Sequence, residues 1–280
     1  MSANKVETVL LDGGGAPQML NLSLAGGTAV AYTCRAPDKE TDNEDTVAAI
    51  SYGDNAAVMI VADGAGGLPA GKRASMTAVT ELERSLDEAL ADETLLRTAV
   101  LNGIEQANRA VLELGSGSAT TLTIVTVEGR DARTYQIGDS EALIVGQRGR
   151  IKAQTMAHSP TGFAVEAGFL DQRAALHHAE RHLVSNFLGT ADMRVDMGTT
   201  VELQSRDTIM LATDGLTDNL HLHEIVEMIR KGPLEQALEA LTRLAARRMS
   251  ALSESQPSKP DDLSLILFRN PTRRQKPAAN

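Results

Sequence analysis

Four strand-like runs follow one another between Thr120 and Gln154 with only turns between them: TTLTIVTV, ARTYQI, EALIVGQRG and RIKAQ. Parallel neighbours need a crossover of a dozen or more residues, so strands joined by tight turns must pair antiparallel. That excludes a sheet built wholly from βαβ units. Short apolar runs bounded by Gly, Pro, Asn or Asp read as further strands at 28–33, 46–51, 56–62, 200–203 and 207–213, with LSLILF as a last one. Helical spacing appears at 68–90, where Ala74, Ala78, Leu82 and Leu86 recur every fourth residue. Further helices are expected at 93–114, 222–230 and 233–249, the last with Leu234, Leu238, Leu241 and Ala245 on one stripe. These residues alone predict one α+β domain with antiparallel sheets and helices outside. Residues 1–25 are Gly-rich and weakly patterned, so they are expected to be an N-terminal extension, a tail or an added strand. The domain is expected to span 26–269, and residues 270–280 to form a flexible tail.

Composition narrows the partners. Lys plus Arg total 27 against 37 Asp plus Glu, a formal net charge of −10 in 280 residues. A nucleic-acid binder needs a basic footprint to displace counterions, and three Tyr, four Phe and no Trp leave few platforms for stacked bases. The single cysteine, Cys34, excludes an internal disulfide framework and favours a reducing compartment. No secretory signal stands at the N-terminus, and no run approaches the ~20 apolar residues of a membrane span. A cytoplasmic protein with no membrane partner is expected.

The chemistry sits at strand ends. VMIVADGAGG (58–67) and TIMLATDGLTD (208–218) each run an apolar strand into Asp-Gly, at Asp63-Gly64 and Asp214-Gly215. A carboxylate there projects from the rim of a sheet, and the glycine admits a ligand close to the backbone. One isolated copy is an ordinary turn. Here there are two, joined by Asn43-Glu44-Asp45, Gly138-Asp139-Ser140 and Asp261-Asp262, each at a predicted strand boundary. Oxygen-rich sets of this kind suit hard divalent ions such as Mg²⁺ and Mn²⁺.

The ordered series NED, VADGAGGLPAGKRAS, SGSATTLTIV, IGDS, LATDGLTD and DDLSLIL, with HSPTGFAVEAGFLD and HLVSNFLG in the middle, resembles the metal-dependent protein phosphatases of the 2C type, especially bacterial members. The resemblance covers about residues 27–269. It implies a four-layer α/β/β/α sandwich of two antiparallel sheets flanked by helices, with a dinuclear Mn²⁺ or Mg²⁺ site and room for a third ion. It implies that Asp63, the Gly64 carbonyl, Asp214 and Asp261 are metal ligands, with Asp139 as a ligand of the third ion. Glu44 and Asp45 would hold metal-bound waters. The implied reaction is hydrolysis of phosphoserine or phosphothreonine in proteins by a metal-activated water, without a protein nucleophile. The implied setting is a monomer acting on a phosphoprotein, with a paired Ser/Thr kinase as a further partner. Asp218 and Asp262 are expected to be solvated loop or cap residues.

Three departures stand out. Many members carry Arg four residues before the Glu of the acidic pair, gripping the substrate phosphate; here that position is Glu40, leaving Lys39 or Arg35 for the role. Ala65 stands where animal enzymes often have His, and Glu141 follows Gly-Asp-Ser where Arg is usual.

Other readings stay in view. Gly66 to Lys72 fits the GxxxxGK of a P-loop nucleoside triphosphatase, although Arg73 replaces the Ser or Thr that would hold Mg²⁺. A phosphatase-like domain that binds a phosphoprotein with little turnover is the non-enzymatic alternative, supported by Glu40. His177, His178 and His182 lack the Glu of an HExxH zinc site, and His158, His221 and His223 read as surface or capping residues.

Overall fold

The computed structural model describes residues 6–13, 16–65, 70–115, 117–251 and 256–270. The chain opens with β1 (Glu7–Leu11), β2 (Gln18–Leu24), β3 (Gly27–Cys34), β4 (Thr46–Tyr52), β5 (Ala56–Ala62) and β6 (Gly64–Ala65). Two long helices follow, α1 (Ala70–Ala91) and α2 (Leu96–Leu114), and then β7 (Ala119–Thr120), β8 (Leu122–Glu128), β9 (Asp131–Ile137), β10 (Glu141–Val145) and β11 (Ile151–Gln154). Short helices α3 (Pro160–Glu166) and α4 (Gln172–Ala175) lead to β12 (Asp196–Met197), β13 (Val201–Glu202) and β14 (Thr208–Ala212). The rest is α5 (Asp214–Thr217), α6 (Leu222–Ile229), α7 (Leu234–Ser250) and β15 (Leu263–Arg269).

Every strand pair is antiparallel. One sheet runs β1-β4-β5-β8-β9-β12, with β13 also on β9; the other runs β11-β10-β14-β15-β3-β2. The two-residue strands β6 and β7 pair with each other beside them. The predicted run from Thr120 to Gln154 thus supplies strands to both sheets.

The central strands carry apolar side chains on both faces. On β5, Val58 and Ile60 pack toward α1 and α2, while Ala57, Met59 and Val61 pack between the sheets. On β15, Ile266 and Phe268 face inward and Leu263, Leu265 and Leu267 meet α6 and α7. Period-2 alternation therefore builds two different cores from one strand. The result is four layers, helices on sheet on sheet on helices. The antiparallel frame removes the βαβ unit that a P-loop needs, and residues 66–69 of that loop, like the expected helix start at Leu68, lie outside the described residues.

Of the alternatives expected for residues 1–25, the structure holds the added strand, and the expected boundary after residue 25 lies within the sheets. It falls in the hairpin turn Ala25-Gly26 between β2 and β3, and β1 and β2 give each sheet an edge strand. The sequence pattern there is weak because edge strands bury little: in QMLNLSL only Leu24 is buried. The expected tail beyond Asn270 lies outside the described residues. No helix of the described residues is long and apolar enough to cross a membrane.

Val6, Leu11 and Leu24 are buried, each contributing roughly 1.5–3 kcal/mol. A chain starting at Gly26 therefore unfolds at lower urea concentration than the full chain. Equal midpoints would return residues 1–25 to the status of a dispensable extension.

Candidate metal centre

The sheets end together on one rim, and the acids collect there. Asp63 follows β5, and its position is held through the backbone. Its N–H donates to Thr121 Oγ1 at 2.9 Å, and its carbonyl accepts from Thr121 N and Thr120 Oγ1, both at 2.8 Å. Among the described residues no donor reaches its carboxylate. Gly64 then lies so close to the first turn of α1 that an added Cβ would stand 2.1 Å from the Gly71 carbonyl oxygen. A Cβ on Gly71 would stand 2.3 Å from Glu44 Oε1. Two glycines thus let a helix start, a strand end and an acid crowd together.

Asn43 and Asp45 open β4. The Asn43 carboxamide accepts from Asp45 N and donates to Thr33 Oγ1, both at 2.8 Å, tying the two sheets. Asp45 is 1% exposed; Thr213 Oγ1 donates to its Oδ2 at 2.9 Å, so β4 and β14 meet. Asp214 begins α5, and Gly215 packs against the Asp262 carbonyl so tightly that a Cβ would sit 1.8 Å away. Asp139 caps the β9–β10 turn and is 8% exposed.

Repulsion among these groups is strong. Burial and the charges of Asp45, Asp214, Asp261 and Asp139 push the Asp63 carboxyl well above its ordinary range. Burial with Asp262 and Asp261 does the same to Asp45, and burial with Asp214 and Asp218 to Asp139. Asp218 and Asp261 are each pushed up to about 6, first by burial and then by Asp214. Glu141 reaches about 7, mainly through burial.

Two lysines offset part of this charge. Lys259, which the sequence did not single out, ion-pairs with Asp214, and its Nζ lies 3.0 Å from Asp218 Oδ2 and 3.2 Å from Asp261 Oδ2. Lys39 Nζ donates to Asp262 Oδ2 at 2.6 Å and to Glu44 Oε2 at 2.9 Å. Burial opposes both ammonium charges, but the surrounding carboxylates outweigh it and hold both pKa values above the ordinary lysine range.

Of the two residues expected to be solvated loop or cap, Asp218 does stand at the C-cap of α5, whereas the expectation for Asp262 is corrected. Asp262 is 3% exposed and accepts from Ala36 N and Glu44 N at 2.8 Å each, so it anchors the loop that carries Glu44. Asp218 joins the Lys259 cluster. His158 is likewise buried: Gly138 N and Asn186 Nδ2 donate to its Nδ1, and Nε2 lies 3.0 Å from Asp196 Oδ2. It ties the loop carrying Asp139 to Asn186 and to Asp196 of β12. His221 is also buried, whereas His177, His178, His182 and His223 are exposed. Arg35 Nη1 donates to the carbonyls of Glu40 and Thr41, closing its own loop.

The donor set fits a hard cation. Glu44 Oε1, Asp45 Oδ1 and Asp214 Oδ1 are buried and accept no hydrogen bond, and Asp218 Oδ2 has only its ion pair with Lys259. A buried anionic oxygen without a donor is costly, and all the candidate donors are oxygens. As the side chains stand, no group of three or more His, Cys, Asp or Glu among the described residues is arranged around an ion. The Lys259 ammonium is the cation lying among Asp214, Asp218 and Asp261.

A rim of carboxylates at the ends of two stacked antiparallel sheets defines the class, and the comparisons supply the family. The protein phosphatase 2C pattern matches residues 36–259, so this chain belongs to that family. It is 31% identical over 216 residues to protein phosphatase PhpP of Streptococcus pneumoniae, covering 74% of this chain and 87% of the relative. The structure of the S. agalactiae serine/threonine phosphatase superposes with a TM-score of 0.72 at 26% identity, covering 90% of this chain and 99% of that one. A likeness of fold extends to the catalytic domain of the serine/threonine phosphatase PstP, solved with two manganese ions: TM-score 0.65, 23% identity, 90% of this chain and 99% of that one.

Raised carboxyl pKa values mean that the folded, metal-free protein binds more protons than the unfolded chain between about pH 4 and 7. The stability linked to those protons is present below the unfolded values and lost as pH rises through about 6–7. His221, held below its ordinary value by burial, opposes this near pH 6. With six carboxyls against one imidazole, the melting temperature in EDTA rises between pH 7.5 and 5.5. A steady fall over that interval would contradict the crowding described here.

Proposed function

We propose that this chain is a metal-dependent phosphatase that hydrolyses phosphoserine or phosphothreonine in proteins. The observation that carries the reading is the cluster of buried carboxylate oxygens without hydrogen-bond donors on one rim of the sandwich. Asp63, the Gly64 carbonyl, Asp214 and Asp261 would hold two divalent ions, Mn²⁺ or Mg²⁺, and Asp139 a third. Manganese is the ion named for the PstP catalytic domain. Such ions supply Lewis acidity, which lowers the pKa of a water and neutralises charge on phosphoryl oxygens.

The chain's own groups prepare that chemistry. Glu44 and Asp45 present free buried oxygens that accept hydrogen bonds from water. Thr121 and Thr213 hold the backbone of Asp63 and the carboxylate of Asp45 in place. Lys259 pairs with Asp214, Asp218 and Asp261, so divalent ions held there would compete with its ammonium for the same carboxylates. Cys34 is half-buried with its thiol donating to the Arg35 carbonyl, so it is not offered as a nucleophile. Lys39 is the side chain nearest to a phosphate grip, although Glu44 and Asp262 already engage it. Arg35 supports the loop beneath. A cytoplasmic monomer acting on a phosphoprotein, with a paired kinase as a further partner, is the setting that goes with this reading.

Phosphate release from a phosphothreonine peptide is expected with Mn²⁺ and not in EDTA. Turnover without metal, or none with it, would overturn the reading and would favour a phosphoprotein-binding domain. Asp63→Asn and Asp214→Asn each lower the rate more than about 100-fold while circular dichroism stays unchanged. Near-full activity in either variant would remove that residue from the site.

Lys39→Ala raises KM about tenfold, as for loss of one charge-assisted hydrogen bond. An unchanged KM with a lowered melting temperature would make Lys39 solely the counter-ion of Glu44 and Asp262.

A further inference from the structure

Beside the acidic rim, on the outward face of the second sheet, lies a cavity that the proposed chemistry does not use. Glu141 opens β10 and, by strand alternation, shares a face with Leu143; Met210 of the adjacent β14 belongs to the same core layer as Leu143. Together with Leu220 and Ile225 these residues form an apolar floor, and Val165 of α3 with Leu176 after α4 forms the roof. The cavity is open on one side and has a volume of about 220 Å³. Asp139 and Asp214 wall both this cavity and the acid centre, so the two spaces adjoin.

Size limits the occupant. Ligand pockets for cofactors and drug-sized molecules run to roughly 300–1,000 Å³, so this one suits a single side chain. Charge selects which. Asp139, Glu141, Glu166, Asp214 and Asp218 line it, against Arg181 alone. The Arg181 guanidinium is already committed to the carbonyls of Leu176 and Ser258. Glu141 Oε2 accepts from Gln154 Nε2 at 3.1 Å, and its other oxygen has no donor among the described residues. An apolar side chain entering here would strip water from Glu141 and give nothing back. An acidic one would meet like charge. Arginine matches both parts of the cavity: its methylenes lie along the apolar walls, and its planar fork donates two parallel hydrogen bonds to a carboxylate.

We infer that this cavity receives an arginine side chain of the substrate, one to three residues from the phosphorylated residue, with Glu141 accepting its guanidinium. The inference rests on the phosphatase reading above and adds sequence selectivity to it. Glu141 is then a specificity residue rather than a catalytic one.

The test uses the full chain with Mn²⁺, p-nitrophenyl phosphate as a substrate that carries no guanidinium, and phosphothreonine peptides. The peptides carry either Arg or Ala at each of the three positions on either side of the phosphothreonine. At one position kcat/KM is expected to favour Arg about tenfold. Glu141→Gln brings that ratio close to one, and Glu141→Arg turns the preference toward Glu at the same position. Val165→Phe, which narrows the cavity from the roof without touching a carboxylate, also reduces the ratio. A wild-type ratio of one at every position, or a ratio that survives Glu141→Gln, overturns the inference while p-nitrophenyl phosphate turnover leaves the phosphatase reading standing. Failure of every substrate, the small ester included, removes that reading and this inference with it.

Discussion

Carboxylates of one sign held at close quarters are the interaction on which the rest of this structure depends. Asp45, Asp63, Asp139, Asp214 and Asp261 are drawn from five separate stretches of chain, and each raises the energy of its neighbours' charged forms. In a partly desolvated setting such repulsion is far stronger than in water. The cluster persists because rigid elements place it and because Lys259 and Lys39 are drawn into it. A site built this way is locally destabilising without cations, and the stability must come from elsewhere.

It comes from the layers beneath. The inter-sheet core from Leu11 through Phe268 and the two helix-facing cores lock the registers of the central strands. A slip of one residue would turn every core side chain to the wrong face. Because the registers are locked, the strand ends are too, and with them Asp63 and Asp214. Hydroxyl groups finish the positioning: Thr121 reaches Asp63, Thr213 reaches Asp45, and Ser140 meets Thr121 at 2.8 Å. The buried His158 plays the same part for the Gly138-Asp139 turn.

Lys39 and Asp262 illustrate how buried charges compensate one another. Asp262 supplies two backbone N–H groups with an acceptor and would leave a further buried negative charge beside Glu44. Lys39 answers that charge directly. Among the described residues Glu141 has no such partner beyond Gln154, which is why its neighbourhood reads as a place for an external cation.

Much of the architecture was legible in the chain itself. Strands without intervening helices can only be antiparallel, and the four helical stripes lie where periodicity placed them, at Ala70–Ala91, Leu96–Leu114, Leu222–Ile229 and Leu234–Ser250. The acids were legible because Asp-Gly at a strand end is a local pattern. The edge strands β1 and β2 were not, since a half-exposed strand buries too few side chains to leave a clear alternation. Nor were Lys259, the burial of Asp262 and His158, or the cavity at Glu141. Each of these depends on partners 20 to more than 200 residues away in the chain, such as His158 with Gly138 and Asp262 with Ala36. Local pattern thus determined which elements form and which acids stand at their ends, because backbone sterics and side-chain period act over a few residues. Only the tertiary structure decided which charges face one another and which lysine answers them, because Coulombic and desolvation energies depend on distance in space and not along the chain.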